Sequence, residues 1–284
     1  MPSSLADQLY AENRTWKIVE TCHNIAFDPK NKKWYPDAFA FCTPYHLETF
    51  AHIPSFKALI EFPIDKKCPT PTQKNNAKKR LKMALNKKHV LNVGLWTEGK
   101  NQKEGIRMAW NHPDMQFHFV GNQARNFIEY WNPLMQNLPR NVTIWGERND
   151  AETFYKACDI FMFNSTWECS PVVLREAVSY GLPIVAHNLT EYRGVFDKYI
   201  QPIDSDLMML NRNYKIPTDN TTEIFGQKHY DFYQQVIKVE KQKVLPVLKV
   251  SITQHFVEEP FLEIKGESNS QYEVSFYDEN DVCH

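Results

Sequence analysis

The first 93 residues contain no glycine; all nine glycines fall at or after Gly94, seven of them between Gly94 and Gly194. A glycine-rich phosphate loop is therefore excluded from the first third of the chain. No segment approaches the roughly 20 consecutive apolar residues that a membrane span requires. The opening stretch, Met1 to Arg14, lacks a positive end followed by an apolar run, so no secretory signal is expected. Cys22, Cys42, Cys68, Cys158, Cys169 and Cys283 form no CxxC pair, which argues against zinc ligation and for buried thiols in a reducing, cytoplasmic setting. Neither sign of charge dominates. Net charge is -1, so nothing global draws the 284-residue chain to nucleic acid or anionic lipid. With 42% hydrophobic residues, disorder is excluded as well.

What charge there is sits unevenly. Lys66 to Lys88 holds nine basic residues and no acidic one, and reads as a solvated linker carrying a helix from Asn75 to Leu85. Glu258 to Asp281 holds eight acidic residues against Lys265 alone, and reads as a solvated surface.

Short apolar runs alternate with amphipathic segments. Strands are expected at Trp16–Cys22, Ala38–Cys42, Lys57–Phe62, Val90–Val93, Gln116–Val120, Val142–Trp145, Ile160–Phe163 and Pro183–Ala186. Helices are expected at Pro44–His52 (capped by Thr43), Gln102–Trp110, Arg125–Met135, Ala151–Cys158, Val172–Tyr180 and Thr222–Glu240. This alternation implies an α/β fold, a Rossmann-like parallel sheet wrapped by helices, with ligands beyond the carboxyl ends of the strands. From Pro246 the pattern turns β-rich, with strands expected at Val247–Thr253, Pro260–Ile264 and Tyr272–Tyr277. The expected division is a partial α/β domain over 1–66, the basic linker over 67–88, a Rossmann-like domain over 89–216, a helix over 217–244 and a β-rich segment over 245–284.

The run from Trp167 to Ala177 carries the most chemistry. It follows the apolar strand and the pair Asn164-Ser165. Ser170 suits a helix cap and Pro171 the first helical position, leaving free backbone N–H groups as an anion site. Glu176 lies on the same helix; a carboxylate there is poor for phosphate but suits a ribose diol, because it accepts two hydrogen bonds. Gly181-Leu182-Pro183 ends the helix and opens the next strand.

Glu168, seven intervening residues and Glu176, set between that strand and Gly181-Leu182-Pro183, resemble the EX7E signature of retaining family 4 glycosyltransferases, which have the GT-B fold. Val90 to Gly94 followed by Gly99-Lys100-Asn101 resembles the family's first strand and diphosphate loop. Phe117 to Gly121, Val142 to Gly146 and Phe154 to Phe161 match further parts in order, so the resemblance covers about residues 89–200. It implies a nucleotide diphosphate sugar as donor and a glycan or other hydroxyl as acceptor. Lys100 would neutralise the diphosphate. Gly94 would allow close approach, and Cys169, Ser170, Pro171 and Val172 would line phosphate or sugar. Glu168 would face the sugar, and Glu176 would hold the ribose. No metal and no further cofactor are then required, since lysine and amide dipoles oppose the developing charge.

The family usually has arginine where this chain has Leu95, which weakens the leaving-group site; Arg148 or Arg193 would have to compensate. Trp145 and Arg148 are candidates for diphosphate or base contacts. Val19 to Asn24 resembles a late strand of an amino-terminal acceptor domain, making His23 a candidate for acceptor contact or proton handling. A hydrogen-bonded strand-end histidine is the equally weighted alternative.

Trp96 and Trp167 are expected to stack on carbohydrate, whereas Trp110 is expected in the core. His118 is read as structural. Asp204-Ser205-Asp206 matches a DXD metal motif but opens a helical run, so capping is preferred. The competing readings are a non-catalytic nucleotide-sugar-binding or assembly module, and an attachment domain of a larger structural protein. Oligomeric state is not legible.

Overall fold

The structure, a computed structural model, describes residues 9–10, 14–29, 32 and 34–239, together with the backbone of 250–257, 259–266 and 271–274. Contacts divide the chain into two units, one of residues 1–61 with 226–284 and one of residues 62–225.

The first unit contains three parallel strands in the order β1 (Val19–Cys22), β2 (Ala38–Phe41), β3 (Phe56–Leu59). β2 is central, and all four of its residues are buried, as an apolar Ala-Phe-Ala-Phe run demands. Helix α1 (Pro44–Thr49) follows with proline at its start; Thr43 Oγ1 accepts from the His46 amide at 3.2 Å. The sheet face carries Cys22, Phe39, Phe41, Phe50 and Ile53, with Phe27 set edge-on to Phe50. Asp37 anchors the entry to β2. It is fully buried, accepts from Arg14 Nη2 at 2.8 Å and from the Ile18 amide at 2.8 Å.

The carboxyl-terminal strands β10 (Val250–Val257), β11 (Glu259–Gly266) and β12 (Gln271–Val274) form an antiparallel meander. The ends of the expected strands at 247–249 and 275–277 lie outside the described residues.

The second unit is a six-stranded, wholly parallel sheet in the order β6-β5-β4-β7-β8-β9. Its strands are β4 (His89–Val93), β5 (Gln116–Val120), β6 (Val142–Gly146), β7 (Ile160–Phe163), β8 (Ile184–Ala186) and β9 (Ile200–Pro202). Helices α2 (Pro71–Arg80), α3 (Gln102–Asn111), α4 (Ile128–Met135), α5 (Ala151–Ala157) and α6 (Val172–Ser179) accompany it. Helix α7 (Thr222–Lys238) begins in this unit. Chain order reverses between β4 and β7, the Rossmann arrangement with its crevice at that point.

Alternation along the strands serves two cores. Leu91, Phe161 and Phe163 pack with Leu174, Ala177 and Phe196 on one face, while Val90, Ile160 and Met162 pack with Trp96, Phe117 and Phe119 on the other. Both faces are covered, which is why the strands read as continuous apolar runs.

The basic stretch differs from the expected solvated linker. Its helix starts earlier, at Pro71, because Thr70 and Gln73 form a capping box. It ends where Lys82 takes a left-handed conformation at φ 53°. Lys78 is buried against Asp159 at 3.0 Å and Lys74 reaches the same carboxylate at 2.7 Å, so two of the cations are internal ties. The run after Asp204 is not helical but a turn. Asp206 Oδ1 accepts from the Met208 amide at 2.8 Å.

Candidate functional site

The crevice between β4 and β7 is pinned by asparagines. Asn92 Nδ2 donates to the Met162 carbonyl at 2.9 Å and to Asn164 Oδ1 at 3.2 Å, joining the carboxyl ends of the two central strands. Two loops leave from here: residues 94–101 after β4 and 164–171 after β7. They are stitched together, since the Thr166 amide donates to the Gly99 carbonyl at 2.9 Å and Ser165 Oγ lies 3.0 Å from the same oxygen.

Lys100 and Glu168 meet across these loops. The ammonium is ion-paired to Glu168 Oε1, which also accepts from Ser165 Oγ at 2.7 Å. Lys100 Nζ lies 5.4 Å from the centre of the Phe163 ring, at the end of β7. The Lys100 stem runs beside Gly94, where an added Cβ would meet Cδ at 3.8 Å. That is ordinary contact, so the Lys100 side chain does not itself require glycine there. Gly121 is the position that must be bare: a Cβ would lie 1.9 Å from the Gly94 carbonyl, at a φ of +150°.

Helix α6 begins at this crevice. Its cap position is held by Pro171, with no side chain capping the first turn. Ser170 is therefore not the cap, a correction to the sequence reading. Its Oγ instead accepts from Arg175 Nη2 at 3.2 Å, and the buried Arg175 also donates to the Phe62 carbonyl at 2.6 Å. The arginine draws the hydroxyl back into the loop and leaves the amides of Val172 and Val173 without a side-chain cap. Cys169 is buried and Val172 exposed. Glu176 stands in the second turn, half-buried, its Oε2 accepting from the Tyr155 hydroxyl at 2.7 Å.

Around this centre, Glu104 in the first turn of α3 lies 3.4 Å from His187 Nε2 and accepts from Arg107 at 2.8 Å. Burial would raise the Glu104 carboxyl, but Arg107 and His187 outweigh it and hold it below its ordinary value. Tyr192 is fully buried, its phenol pushed upward by burial and by Glu168.

Other expected site residues stand elsewhere. Arg148 folds back on Asp150, with Nε at 2.9 Å and Nη2 at 3.0 Å, and lies over the Trp145 and Phe154 rings. Its guanidinium is thus committed to a neighbouring carboxylate. Trp145 donates to His118 Nδ1 at 3.1 Å. Leu95 is 38% exposed and offers no donor. Arg193 follows the short turn Thr190–Tyr192 and is exposed. Trp96 is wholly buried, edge-on to Trp131 at 4.8 Å, and so cannot stack on a ligand. Trp167 remains exposed beside Glu168, whereas Trp110, expected in the core, is 52% exposed. His23 follows β1 in the other unit and is exposed.

His118 is structural, as read. With His89 it forms a buried chain whose tautomers follow from its ends. Trp145 donates to His118 Nδ1, His118 Nε2–H faces His89 Nδ1 at 2.9 Å, and His89 Nε2–H donates to the Ala84 carbonyl at 2.7 Å. The sequence did not single out Tyr155 or Arg175 as members of the site region, nor Asn92, Glu104, His187 or Tyr192 around it. Ser165 was named only as part of the pair that precedes Glu168; nothing in spacing marks the others. Among the described residues, no cluster of three or more His, Cys, Asp or Glu could hold a metal ion.

Residues 73–201 match the family described as "Glycosyl transferases group 1". The galactosyltransferase of Escherichia coli described as UDP-Gal:alpha-D-GlcNAc-diphosphoundecaprenol alpha-1,3-galactosyltransferase is 28% identical over 142 residues, 47% of this chain and 37% of its own. The processive diacylglycerol alpha-glucosyltransferase of Acholeplasma laidlawii is 24% identical over 186 residues, 58% of this chain and 55% of its own. The chain thus spans about a third to a half of the length of these curated relatives.

The sucrose-phosphate synthase of Thermosynechococcus elongatus superposes with a TM-score of 0.65 at 17% identity, covering 83% of this chain and 71% of that one. HepE of Anabaena, solved with UDP and glucose, superposes with a TM-score of 0.55 at 16% identity, covering 79% and 65%. The fold is the parallel-sheet, Rossmann-like fold of GT-B glycosyltransferases. No helix among the described residues is long and apolar enough to cross a membrane.

Proposed function

We propose that the chain transfers a sugar from a nucleotide diphosphate sugar to a hydroxyl acceptor, with retained anomeric configuration and without a metal. One observation carries this reading: Lys100 and Glu168 are held together at the switch point, inside the segment that matches the group 1 glycosyltransferases. Lys100 opposes the charge that develops on the leaving diphosphate, assisted by the first-turn amides of α6. Glu168 faces the sugar and Glu176 accepts from the ribose hydroxyls. The donor is fixed mainly by the second unit, and His23 is assigned to the acceptor side.

Two of the relatives are named for alpha-linked transfer, which supports retention from an alpha-linked donor. One acceptor in those names is carried on diphosphoundecaprenol and the other is a diacylglycerol, so lipid-borne hydroxyls are the first acceptors to try. UDP is the first nucleotide to try, because HepE was solved with it.

Calorimetry with UDP- and GDP-sugars, followed by product analysis, tests the reading. Binding and turnover that are lost in Lys100→Ala and Glu176→Ala support it; full donor binding by both variants would falsify this site. A second reading, a nucleotide-sugar-binding module without turnover, is favoured by Leu95 and by the engagement of Arg148 with Asp150. Donor binding with no product from any acceptor would select it.

A further inference from the structure

We propose that Tyr155 is the positioning residue for Glu176, fixing the carboxylate that reads the ribose diol of the donor. The inference rests on the reading above and concerns a residue from a different helix, 21 positions earlier in the chain.

The geometry is specific. Tyr155 lies on α5, is 1% exposed, and its hydroxyl donates to Glu176 Oε2 at 2.7 Å. The Val173 carbonyl, at 3.5 Å, is a longer second contact. The ring itself cannot swing: it stacks on Tyr180 at 5.4 Å with 6° between planes and contacts Phe161 at 5.6 Å. Burial, with Glu176 beside it, pushes the phenol well above its ordinary value, so the hydroxyl stays protonated and remains a donor.

A carboxylate on a flexible side chain otherwise samples several orientations about its last bond. With Oε2 held by a buried phenol, the carboxylate is oriented, and the proposal assigns Oε1 to the ligand. The lone pairs of Oε1 are the acceptors for a vicinal diol; an ionised phosphate supplies no donor, and a 2′-deoxyribose supplies one hydroxyl instead of two. Tyr155 thus selects ribonucleotide donors without touching them. Tyr180, its stacking partner, gives an internal comparison, because its hydroxyl goes to Glu152 Oε2 at 3.0 Å instead.

The test uses the full chain, and whichever of UDP and GDP binds more tightly, with its 2′-deoxy form. Wild type is expected to prefer the ribonucleotide. Tyr155→Phe, which keeps the ring, is expected to weaken the ribonucleotide about tenfold and the 2′-deoxy form clearly less, as loss of a hydrogen bond to a charged group implies. Tyr180→Phe is expected to change neither. In a Glu176→Gln background, Tyr155→Phe should add little, because the charge being oriented is gone. Melting curves of each variant establish that the comparison is between folded proteins.

Equal weakening of both nucleotides in Tyr155→Phe means a purely structural tyrosine and overturns the proposal, as does no weakening. Wild type that binds the two nucleotides equally removes the ribose role of Glu176, and this proposal with it, while leaving the donor reading standing. Wild type that binds neither UDP nor GDP overturns the donor reading itself.

Discussion

Lys100 and Glu168 neutralise each other across the two loops of the switch point, with Ser165 donating to the same carboxylate oxygen. On the proposed reading, an arriving diphosphate must take the ammonium from Glu168. The pair therefore competes with the donor.

The first prediction follows from that competition. Lys100→Ala should weaken UDP by about tenfold to a hundredfold, the order expected for loss of a partly buried charge contact. Glu168→Gln should leave UDP binding unchanged or tighter, because the lysine is released, while turnover of the intact donor falls. Titration calorimetry with UDP, set beside product formation, checks both. Weaker UDP binding in Glu168→Gln would mean that the pair assists the donor rather than opposing it.

A second prediction concerns Asn92. Its amide satisfies the Met162 carbonyl and Asn164 Oδ1 at the ends of the central strands, and it is 4% exposed. Asn92→Leu keeps the volume but leaves both acceptors unmatched. Unfolding in urea should show a loss of about 1–3 kcal/mol. An unchanged midpoint would show that the bridge contributes nothing to stability.

Acid sensitivity gives a third. Burial lowers His118 to about 3, with His89 and Lys78 adding to the effect, and burial lowers His89 too. Lys74 also lowers His89, while Ala84 and Asp159 oppose the shift. In the unfolded chain both rings titrate near about 6.5. The folded form therefore binds fewer protons, so stability is complete above about pH 6.5 and declines as pH falls toward the folded values. For His118 the loss between pH 7.5 and pH 5 is about 2 kcal/mol. Melting temperature against pH should fall over that window, and His118→Leu should flatten the fall. A variant curve parallel to wild type counts against the histidine chain as the cause.

The fourth concerns Asp159. It receives Lys74, Lys78 and the His89 amide, and although burial alone would raise its carboxyl, these partners hold it below its ordinary value. Asp159→Ala strands the buried Lys78 cation, at a cost of about 3–5 kcal/mol. Limited proteolysis at the lysines of α2 should accelerate along with a drop in melting temperature. Cleavage at the wild-type rate would show that α2 is held by other contacts.

The parallel sheet was legible because both of its faces are covered, so strands such as Phe117–Phe119 and Ile160–Phe163 are nearly uninterrupted apolar runs of the right length. Lys100 and Glu168 were singled out by resemblance alone, and the structure brings them together because their loops leave the adjacent central strands β4 and β7. What sequence could not show was tertiary competition. Ser170 has the chemistry of a cap, yet Arg175 claims its hydroxyl. Trp96 has the chemistry of a stacking platform, yet Trp131 and Phe119 enclose it. Arg148 could have replaced the missing arginine at Leu95, but Asp150 lies two residues away. β9 was missed because Ile-Gln-Pro at a sheet edge has too few apolar residues to show a period. Tyr155 was hidden because its partner is brought near only by the crossing of two helices.

The burial of Trp96 bears on how a ligand can be admitted. This indole is sunk midway along the segment from Gly94 to Lys100, its amide tied to the Asn122 carbonyl at 3.0 Å, while Gln102 fastens the Leu95 carbonyl at 2.8 Å. A strand of chain nailed at its midpoint cannot fold over a guest as a flap. On the proposed reading the lysine reaches a diphosphate by rotating its own four-carbon stem, and any enclosure of the bound molecule must be supplied by other parts of the protein.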